Sequence, residues 1–135
     1  MVGELGLGGV KDMRIGSRYE KTLSSGERKR TAIGVELITD PPILILDEPT
    51  SGLDSWTAAQ IIKLLHRLAR SGKTVIATIH QPSSRSFYFF DRLLLIADGQ
   101  TVYQGPASHA REYFASINHT FPKFVNPADY LIKLL

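Results

Sequence analysis

The feature that most constrains the fold is an alternation of strand-like and helix-like stretches between residues 43 and 79. The aliphatic run Ile43 to Leu46 predicts a buried strand. Residues 55–70 repeat apolar side chains at helical spacing, which predicts an amphipathic helix. The β-branched run Thr74 to Ile79 predicts a second strand. Because a strand, a helix and a strand in this order are typical of a parallel sheet with a right-handed crossover, the sequence predicts an α/β fold.

The flanking sequence predicts the remaining elements. A helix is predicted over Gly26 to Leu37, and Pro41-Pro42 separates it from the first strand. The Asp98-Gly99 pair predicts a hairpin turn between Leu93–Ile96 and Thr101–Tyr103. Two further helical stretches are predicted, at Ala107–Ile117 and Pro127–Leu134.

Composition excludes several classes of protein. The chain has 135 residues, of which 43% are hydrophobic, so it has the size and the apolar content of one globular domain. It contains no cysteine, which removes disulfides, thiolate metal sites and cysteine nucleophiles. The formal charge of +3 is too small and too scattered to indicate a nucleic-acid partner. Its longest aliphatic runs are far below the ~18 residues that span a bilayer, so we expect this chain itself to be soluble.

Two adjacent carboxylates, Asp47 and Glu48, follow the first predicted strand, and His80 follows the second. In open parallel sheets, ligands bind beyond the carboxyl ends of the strands. A pair of carboxylates there suits a division of labour, in which one holds Mg²⁺ through its water shell and the other takes a proton from an attacking water. An acidic pair that merely begins a solvated loop is about equally common, so the pair alone leaves both interpretations open.

Three neighbouring motifs favour the functional interpretation. LSSGERKR (residues 23–30), ILILDEPTSGLD (residues 43–54) and TVIATIHQPSS (residues 74–84) occur in the order found in the nucleotide-binding domain of ATP-binding cassette (ABC) transporters. The residues of these motifs resemble the G, or White, subfamily in particular. Two further features of that subfamily are present, Gly105-Pro106-Ala107 near Tyr113-Phe114 and the run Asn126 to Asp129. The resemblance extends from about Gly6 to the end of the chain. It implies that residues 1–135 are a partial nucleotide-binding domain with a parallel-sheet core like that of P-loop NTPases, followed by a hairpin and helices.

The resemblance also implies roles for individual residues. Asp47 resembles the Walker B aspartate, which binds Mg²⁺ through water, and Glu48 the general base. His80 resembles the switch histidine that contacts the γ-phosphate of ATP. The D-loop, which crosses the dimer interface in the family, matches Ser51, Gly52, Leu53 and Asp54. The signature motif, which contacts ATP held by the opposite protomer, matches Leu23, Ser24, Ser25, Gly26 and Glu27.

The signature segment has support of its own, because Ser and Gly at a helix N-terminus present N–H groups and a positive dipole end to a phosphate. It also departs from the family, which usually has glycine where this chain has Ser25. A Cβ at a point of close approach to phosphate is a steric cost, although the serine hydroxyl is also a hydrogen-bond donor.

The phosphate-binding loop of such a domain, G-x-x-x-x-G-K-[ST], is missing from this sequence. The only Gly-Lys-Thr is at residues 72–74, where Arg67 takes the place of the first glycine and a predicted helix precedes a predicted strand, the reverse of the required order. We therefore expect this chain to be the C-terminal half of a cassette, whether a fragment, a truncated gene product or a degenerate gene. The adenine-contacting aromatic and the Q-loop glutamine of the family would lie upstream of Met1.

For the complete protein, the resemblance implies ATP and Mg²⁺ as ligands, with a second nucleotide-binding domain (identical or not) and a transmembrane domain as partners. It implies an exporter subunit on the cytosolic face of a membrane, without a nucleic-acid partner. Two alternatives stay open. A soluble nucleic-acid ATPase would share the strand and acidic pair of DEAD-type helicases, but His80-Gln81-Pro82 has no place there. A non-catalytic remnant that binds a partner would hydrolyse no ATP, and we expect the isolated chain to be inactive.

Overall fold

The structure, a computed structural model, describes residues 2–13 and 23–135. Those residues fall into two compact units, an N-terminal unit up to His80 and a C-terminal unit from Gln81 onward. The strands are β1 (Ile43–Leu46), β2 (Thr74–Ala77), β3 (Arg92–Ala97) and β4 (Gln100–Pro106). The α-helices are α1 (Ser25–Glu36), α2 (Ser55–Arg70), α3 (Ser84–Phe87), α4 (Ala110–Ser116) and α5 (Pro127–Leu134). Short 3₁₀ turns cover Gly8–Val10, Leu37–Thr39 and Ala107–His109.

The predicted strand–helix–strand unit is confirmed in the N-terminal unit. β1 and β2 pair in parallel, with Ile43 opposite Thr74 and Leu46 opposite Ala77. The apolar face of α2 packs on one side of this pair, because its leucines and isoleucines recur at helical spacing. The buried core of this unit consists of Leu5, Leu7, Ile33, Leu37, Leu44, Ile61, Leu64 and Leu65.

The other side of the β1–β2 pair carries three isoleucines that are more than half exposed. Ile43, Ile45 and Ile76 have relative exposures of 54%, 79% and 55%. They alternate along the strands with Leu44 and Val75, which face the core. This open apolar face therefore follows from strands whose residues are apolar on both sides, as in a sheet covered on both faces.

The start of α1 lies one residue before the predicted Gly26. Ser24 is the N-cap, and its hydroxyl accepts a hydrogen bond from the Glu27 amide. At the other end, Leu37–Thr39 forms a 3₁₀ turn and Asp40 adopts a left-handed backbone with φ +48°, which turns the chain toward Pro41. The prediction of a helix that ends before the proline pair is confirmed.

The C-terminal unit contains the predicted hairpin, in which β3 and β4 pair antiparallel. Asp98 and Gly99 both have left-handed backbones, as a two-residue turn of this kind requires. The core of this unit comprises Phe87, Tyr103, Ala110, Phe114, Ala128 and Leu131. None of the helices in residues 2–13 and 23–135 combines the length and the apolar character needed to cross a bilayer.

The helix α3 was not predicted from the sequence. It spans four residues, and Ser83 caps it by accepting a hydrogen bond from the Ser86 amide. Its end places Phe87 in the core of the C-terminal unit, whereas the next residue, Tyr88, is exposed.

Candidate functional site

The two predicted catalytic carboxylates lie together at the carboxyl end of β1. Asp47 and Glu48 are both exposed and follow the last residue of the strand directly. Glu48 has a left-handed backbone, with φ +41°. Such a conformation is unfavourable for a residue with a side chain and persists only where its surroundings hold it.

The backbone of Glu48 is held on both sides of its Cα. Its amide donates a hydrogen bond to the hydroxyl of Thr78 at 2.8 Å. Its carbonyl accepts from the Ser51 amide at 3.1 Å and from the Lys29 ammonium at 3.4 Å. The surrounding chain therefore fixes the position of the Glu48 Cα, from which the carboxylate side chain extends.

The same Thr78 hydroxyl donates to Oδ1 of Asp47 at 2.6 Å. Thr78 is in reach because pairing continues one residue beyond β2, where its amide donates to the Leu46 carbonyl at 3.1 Å. That register sets Thr78 opposite Asp47. Thr78 lies in the run predicted as a strand, Thr74 to Ile79, and nothing in the sequence pattern indicated a role for it at the site.

Lys29 is a second residue that the sequence analysis missed. It lies in the basic run Arg28-Lys29-Arg30, and its ammonium reaches the Glu48 carbonyl from α1. Arg28 in the same run turns back to the carbonyl of Leu23 at 3.1 Å. Helix α1 is thus tied to the end of β1 by a cationic side chain.

His80 lies three residues beyond the end of β2 and is exposed. Within the described part of the chain, no hydrogen bond joins its imidazole to Asp47 or Glu48. The predicted second strand, Thr74 to Ile79, ends earlier, at Ala77, so His80 lies beyond the strand and not directly at its end.

In the predicted D-loop, Asp54 caps helix α2. Its Oδ1 accepts from the amides of Trp56 and Thr57, both at 3.0 Å, and its Oδ2 accepts from the Thr57 hydroxyl at 2.6 Å. These hydrogen bonds lower the pKa of Asp54, and the bond from the Thr57 hydroxyl has the largest effect. Of the other three residues, Ser51 and Gly52 are exposed and Leu53 packs against the core.

The predicted signature segment forms the start of α1. Leu23 is buried, and Ser24 and Glu27 make a reciprocal capping box, in which the Ser24 amide and hydroxyl donate to Glu27 Oε2 at 2.8 and 2.7 Å. The hydrogen bond from the Ser24 hydroxyl is the main reason why the pKa of Glu27 is lowered. The Glu27 carboxylate thus already occupies part of the helix N-terminus.

Gly26, the second residue of α1, lies against the start of α2. A Cβ at Gly26 would lie 2.4 Å from Cγ2 of Thr57. Ser25, where the family usually has glycine, is exposed. Within this chain, the close approach between α1 and α2 is therefore at Gly26 and not at Ser25.

The Gly72-Lys73-Thr74 sequence is a turn from α2 to β2, as the element order predicts. The Lys73 ammonium donates to Asp40 Oδ1 at 2.6 Å and to the Pro41 carbonyl at 2.9 Å. Lys73 also lowers the pKa of Asp40, through this hydrogen bond and its charge. The lysine therefore joins two loops of the N-terminal unit.

Comparison with protein families gives two matches. Residues 1–51 match the family described as "ABC transporter", and residues 80–135 match the family described as "ABC-2 type transporter".

Comparison with curated proteins gives relatives in animals and plants. The chain is 49% identical over 135 residues to the broad substrate specificity ATP-binding cassette transporter ABCG2 of Mus musculus, covering all of this chain and 20% of that protein. It is 50% identical over 134 residues to ABC transporter G family member 22 of Arabidopsis thaliana, covering 99% of this chain and 18% of the relative. The chain thus spans about a fifth of the length of these relatives.

Solved structures show the same fold. CbiO1 of Clostridium perfringens, part of the ABC transporter complex cbiONQ, aligns with a TM-score of 0.70 and 27% identity, covering 99% of this chain and 51% of the solved one. A second solved ATP-binding cassette, 22% identical, also gives 0.70 and covers 90% of this chain and 47% of its own. Half of each solved cassette therefore has no counterpart here. The chain is therefore similar over its whole length to part of an ABC transporter ATP-binding domain, and the matching relatives are transporters of the G subfamily.

Proposed function

We propose that this segment supplies the hydrolytic carboxylates of an ABC transporter that couples ATP hydrolysis to export. The observation that carries the proposal is the pair at the end of β1, where Glu48 is exposed while its backbone is anchored by Thr78, Ser51 and Lys29. An anchored backbone with an exposed carboxylate suits a group that must take a proton from a water beside a bound substrate.

The residues present fit a Mg²⁺ ion bound together with a nucleotide. Mg²⁺ keeps several waters and is usually held by one or two carboxylates plus the phosphates of the substrate. Asp47 provides one such carboxylate, with Oδ1 oriented by Thr78. No cluster of three or more acidic, histidine or cysteine side chains occurs in the described ranges 2–13 and 23–135, so an all-protein metal cage is not the form that this site takes. When bound, Mg²⁺ would supply charge neutralisation on the phosphates.

Glu48 then acts as the general base. Its carboxylate accepts a proton from a water as the water oxygen bonds to the γ-phosphorus, and the bond from that phosphorus to the bridging oxygen of ADP breaks. In this proposal His80 contacts the γ-phosphate, and residues 23–27 contact ATP held by a second nucleotide-binding domain. Two cassettes would close on two ATP molecules and drive a transmembrane domain, with this segment on the cytosolic face.

The 135-residue chain alone has no G-x-x-x-x-G-K-[ST] loop, and Lys73 of its single Gly-Lys-Thr is engaged by Asp40 and Pro41. This favours the second candidate for the isolated chain, a non-catalytic segment that needs a partner. We expect the purified chain to release no phosphate from Mg-ATP above a blank. Turnover that disappears in Glu48→Gln would contradict this expectation.

The main test uses a chimera in which this chain replaces the matching segment of the Mus musculus relative. Glu48→Gln in the chimera should lower ATP turnover by roughly 10²–10⁴-fold, the usual contribution of a general base. ATP binding should be retained, because the substitution leaves the phosphate-binding loop of the relative intact. Glu36→Gln, at the exposed end of α1, is the matched control and should turn over normally. Full turnover in Glu48→Gln would refute the assignment.

A further inference from the structure

Within the described part of the chain, only the Thr78 hydroxyl forms hydrogen bonds with both Asp47 and Glu48. It donates its single proton to Asp47 Oδ1 at 2.6 Å and accepts the Glu48 amide at 2.8 Å. A hydroxyl has one donor and two acceptor positions, so these two bonds fix its rotation. The contact to a carboxylate is of the short, charge-assisted kind.

The second bond matters because of the backbone of Glu48. Its φ of +41° is a conformation that a glutamate does not adopt freely. The bond to Thr78 fixes the peptide plane that precedes the Glu48 Cα, and the bonds from Ser51 and Lys29 to the Glu48 carbonyl hold the plane that follows it. With both planes held, φ and the direction of the Cα–Cβ bond are held as well. The direction in which the Glu48 carboxylate leaves the chain is therefore set partly by Thr78.

Resting on the proposed function, we propose that Thr78 is a positioning residue, whose hydroxyl holds the Asp47 carboxylate and the Glu48 backbone in the arrangement that hydrolysis needs. Thr78 touches neither the attacking water nor the phosphate in this role. It acts through the Asp47 carboxylate and the Glu48 amide, which are 31 and 30 residues away in sequence. Removal of the hydroxyl should therefore slow turnover more than it weakens nucleotide binding.

A threonine that only stabilises the strand end gives different expectations. Valine has nearly the shape of threonine and a high strand propensity, so Thr78→Val would preserve such a role. Thr78→Ser retains the hydroxyl and loses the methyl group. Thr74→Val is the matched control, since Thr74 begins β2, the strand that Thr78 extends, is exposed, and makes no hydrogen bond through its hydroxyl within the described part of the chain.

The first experiment uses the 135-residue chain and needs no ATP. Hydrogen exchange of the Glu48 amide is measured by NMR in the wild type, Thr78→Val, Thr78→Ser and Thr74→Val. We expect Thr78→Val to exchange at least about tenfold faster, as loss of one hydrogen bond of ordinary strength implies, and the other two to exchange like the wild type. Equal protection in Thr78→Val would overturn the proposal. If the valine variant does not fold, Thr78→Ala replaces it.

The second experiment measures ATPase kinetics in the chimera. Thr78→Val should lower kcat by roughly 10- to 100-fold with KM for ATP within about threefold of wild type, and Thr78→Ser should restore most of kcat. A fully active Thr78→Val beside an inactive Glu48→Gln would overturn the positioning role alone. A fully active Glu48→Gln would overturn the proposed function, and the positioning role would fall with it. An equal loss of kcat in Thr78→Val and Thr78→Ser would also overturn the positioning role, because the hydroxyl would then not be the cause of the loss.

Discussion

Replacement of Gly26 by alanine tests the packing between the two helices that flank β1. The added Cβ would lie 2.4 Å from Cγ2 of Thr57, whereas carbon atoms in contact prefer about 3.5–4.0 Å. An overlap of more than ~1 Å against a partly buried methyl group is overpacking, which typically costs about 1–3 kcal/mol. The higher helix propensity of alanine offsets at most about 1 kcal/mol of this, and less near the helix start. We therefore expect Gly26→Ala to destabilise the N-terminal unit.

The cause can be isolated because Thr57 has two distinct functional groups. Its hydroxyl donates to Asp54 in the cap of α2, and its methyl group faces Gly26. Thr57→Ser removes only the methyl group and by itself should cost about 1 kcal/mol or less. In that background, Gly26→Ala should become nearly neutral, so that the two substitutions show a coupling energy of about 1–2 kcal/mol.

Urea unfolding followed by the fluorescence of Trp56 is a suitable assay. Trp56 is the only tryptophan of the chain and is the second residue of α2, next to Thr57, so its signal reports on the N-terminal unit. With a urea dependence of about 1 kcal/mol/M for a unit of this size, Gly26→Ala should lower the unfolding midpoint by about 1 M or more. Strict additivity of Gly26→Ala and Thr57→Ser would refute the reasoning, since the methyl group would then not be the obstacle.

Three further predictions concern other contacts. Tyr103→Phe should cost about 0.5–1.5 kcal/mol in unfolding free energy, because the hydroxyl of the buried Tyr103 donates to the Pro106 carbonyl at 2.6 Å. Tyr113→Phe should cost less, because the exposed Tyr113 donates to the Val102 carbonyl at 3.3 Å. A larger loss for Tyr113→Phe would contradict this prediction. Asn126→Ala should cost about 1–2 kcal/mol in unfolding free energy, because Asn126 caps α5 and also donates to the Pro82 carbonyl at 2.8 Å. Asn126→Asp should cost less, because it keeps the cap and loses only the bond to Pro82. Thermal unfolding of the two variants measures this order. Ser24 lowers the pKa of the Glu27 carboxyl from 4.5, so this carboxyl should titrate below an ordinary glutamate in NMR. Its capping contribution to stability is complete above pH 4.5 and is lost as the pH falls through the lowered pKa. An unshifted titration in the wild type would contradict the capping box.

The sequence predicted those parts of the fold that depend on local pattern. The strand–helix–strand unit was predictable because α2 repeats its apolar residues at helical spacing and β1 is a short apolar run after two prolines. The hairpin was predictable because Asp98-Gly99 is one of few pairs that take two left-handed residues in succession. The four-residue helix α3 was not predictable, because one turn is too short to show a period.

The position of Asp47 and Glu48 at the end of a strand was predicted, but the residues that contact them were not, and the catalytic roles of both carboxylates remain predictions. Asp47 and Glu48 stood out because acidic residues directly follow an apolar strand. Thr78 and Lys29 did not, because their contacts cross 31 and 19 residues and depend on strand register and on the placement of α1. The roles assigned to the signature, D-loop and switch residues remain predictions.

The open apolar face of the β1–β2 pair affects how measurements on this chain are to be interpreted. Ile43, Ile45 and Ile76 are more than half exposed to water here, and full burial of an isoleucine contributes about 1.5–3 kcal/mol. A polar replacement such as Ile45→Thr would therefore be almost silent in the isolated chain. In any assembly that covers the face, the same replacement would be among the most damaging. A list of tolerated substitutions compiled on these 135 residues would therefore mark as dispensable the side chains that such an assembly depends on.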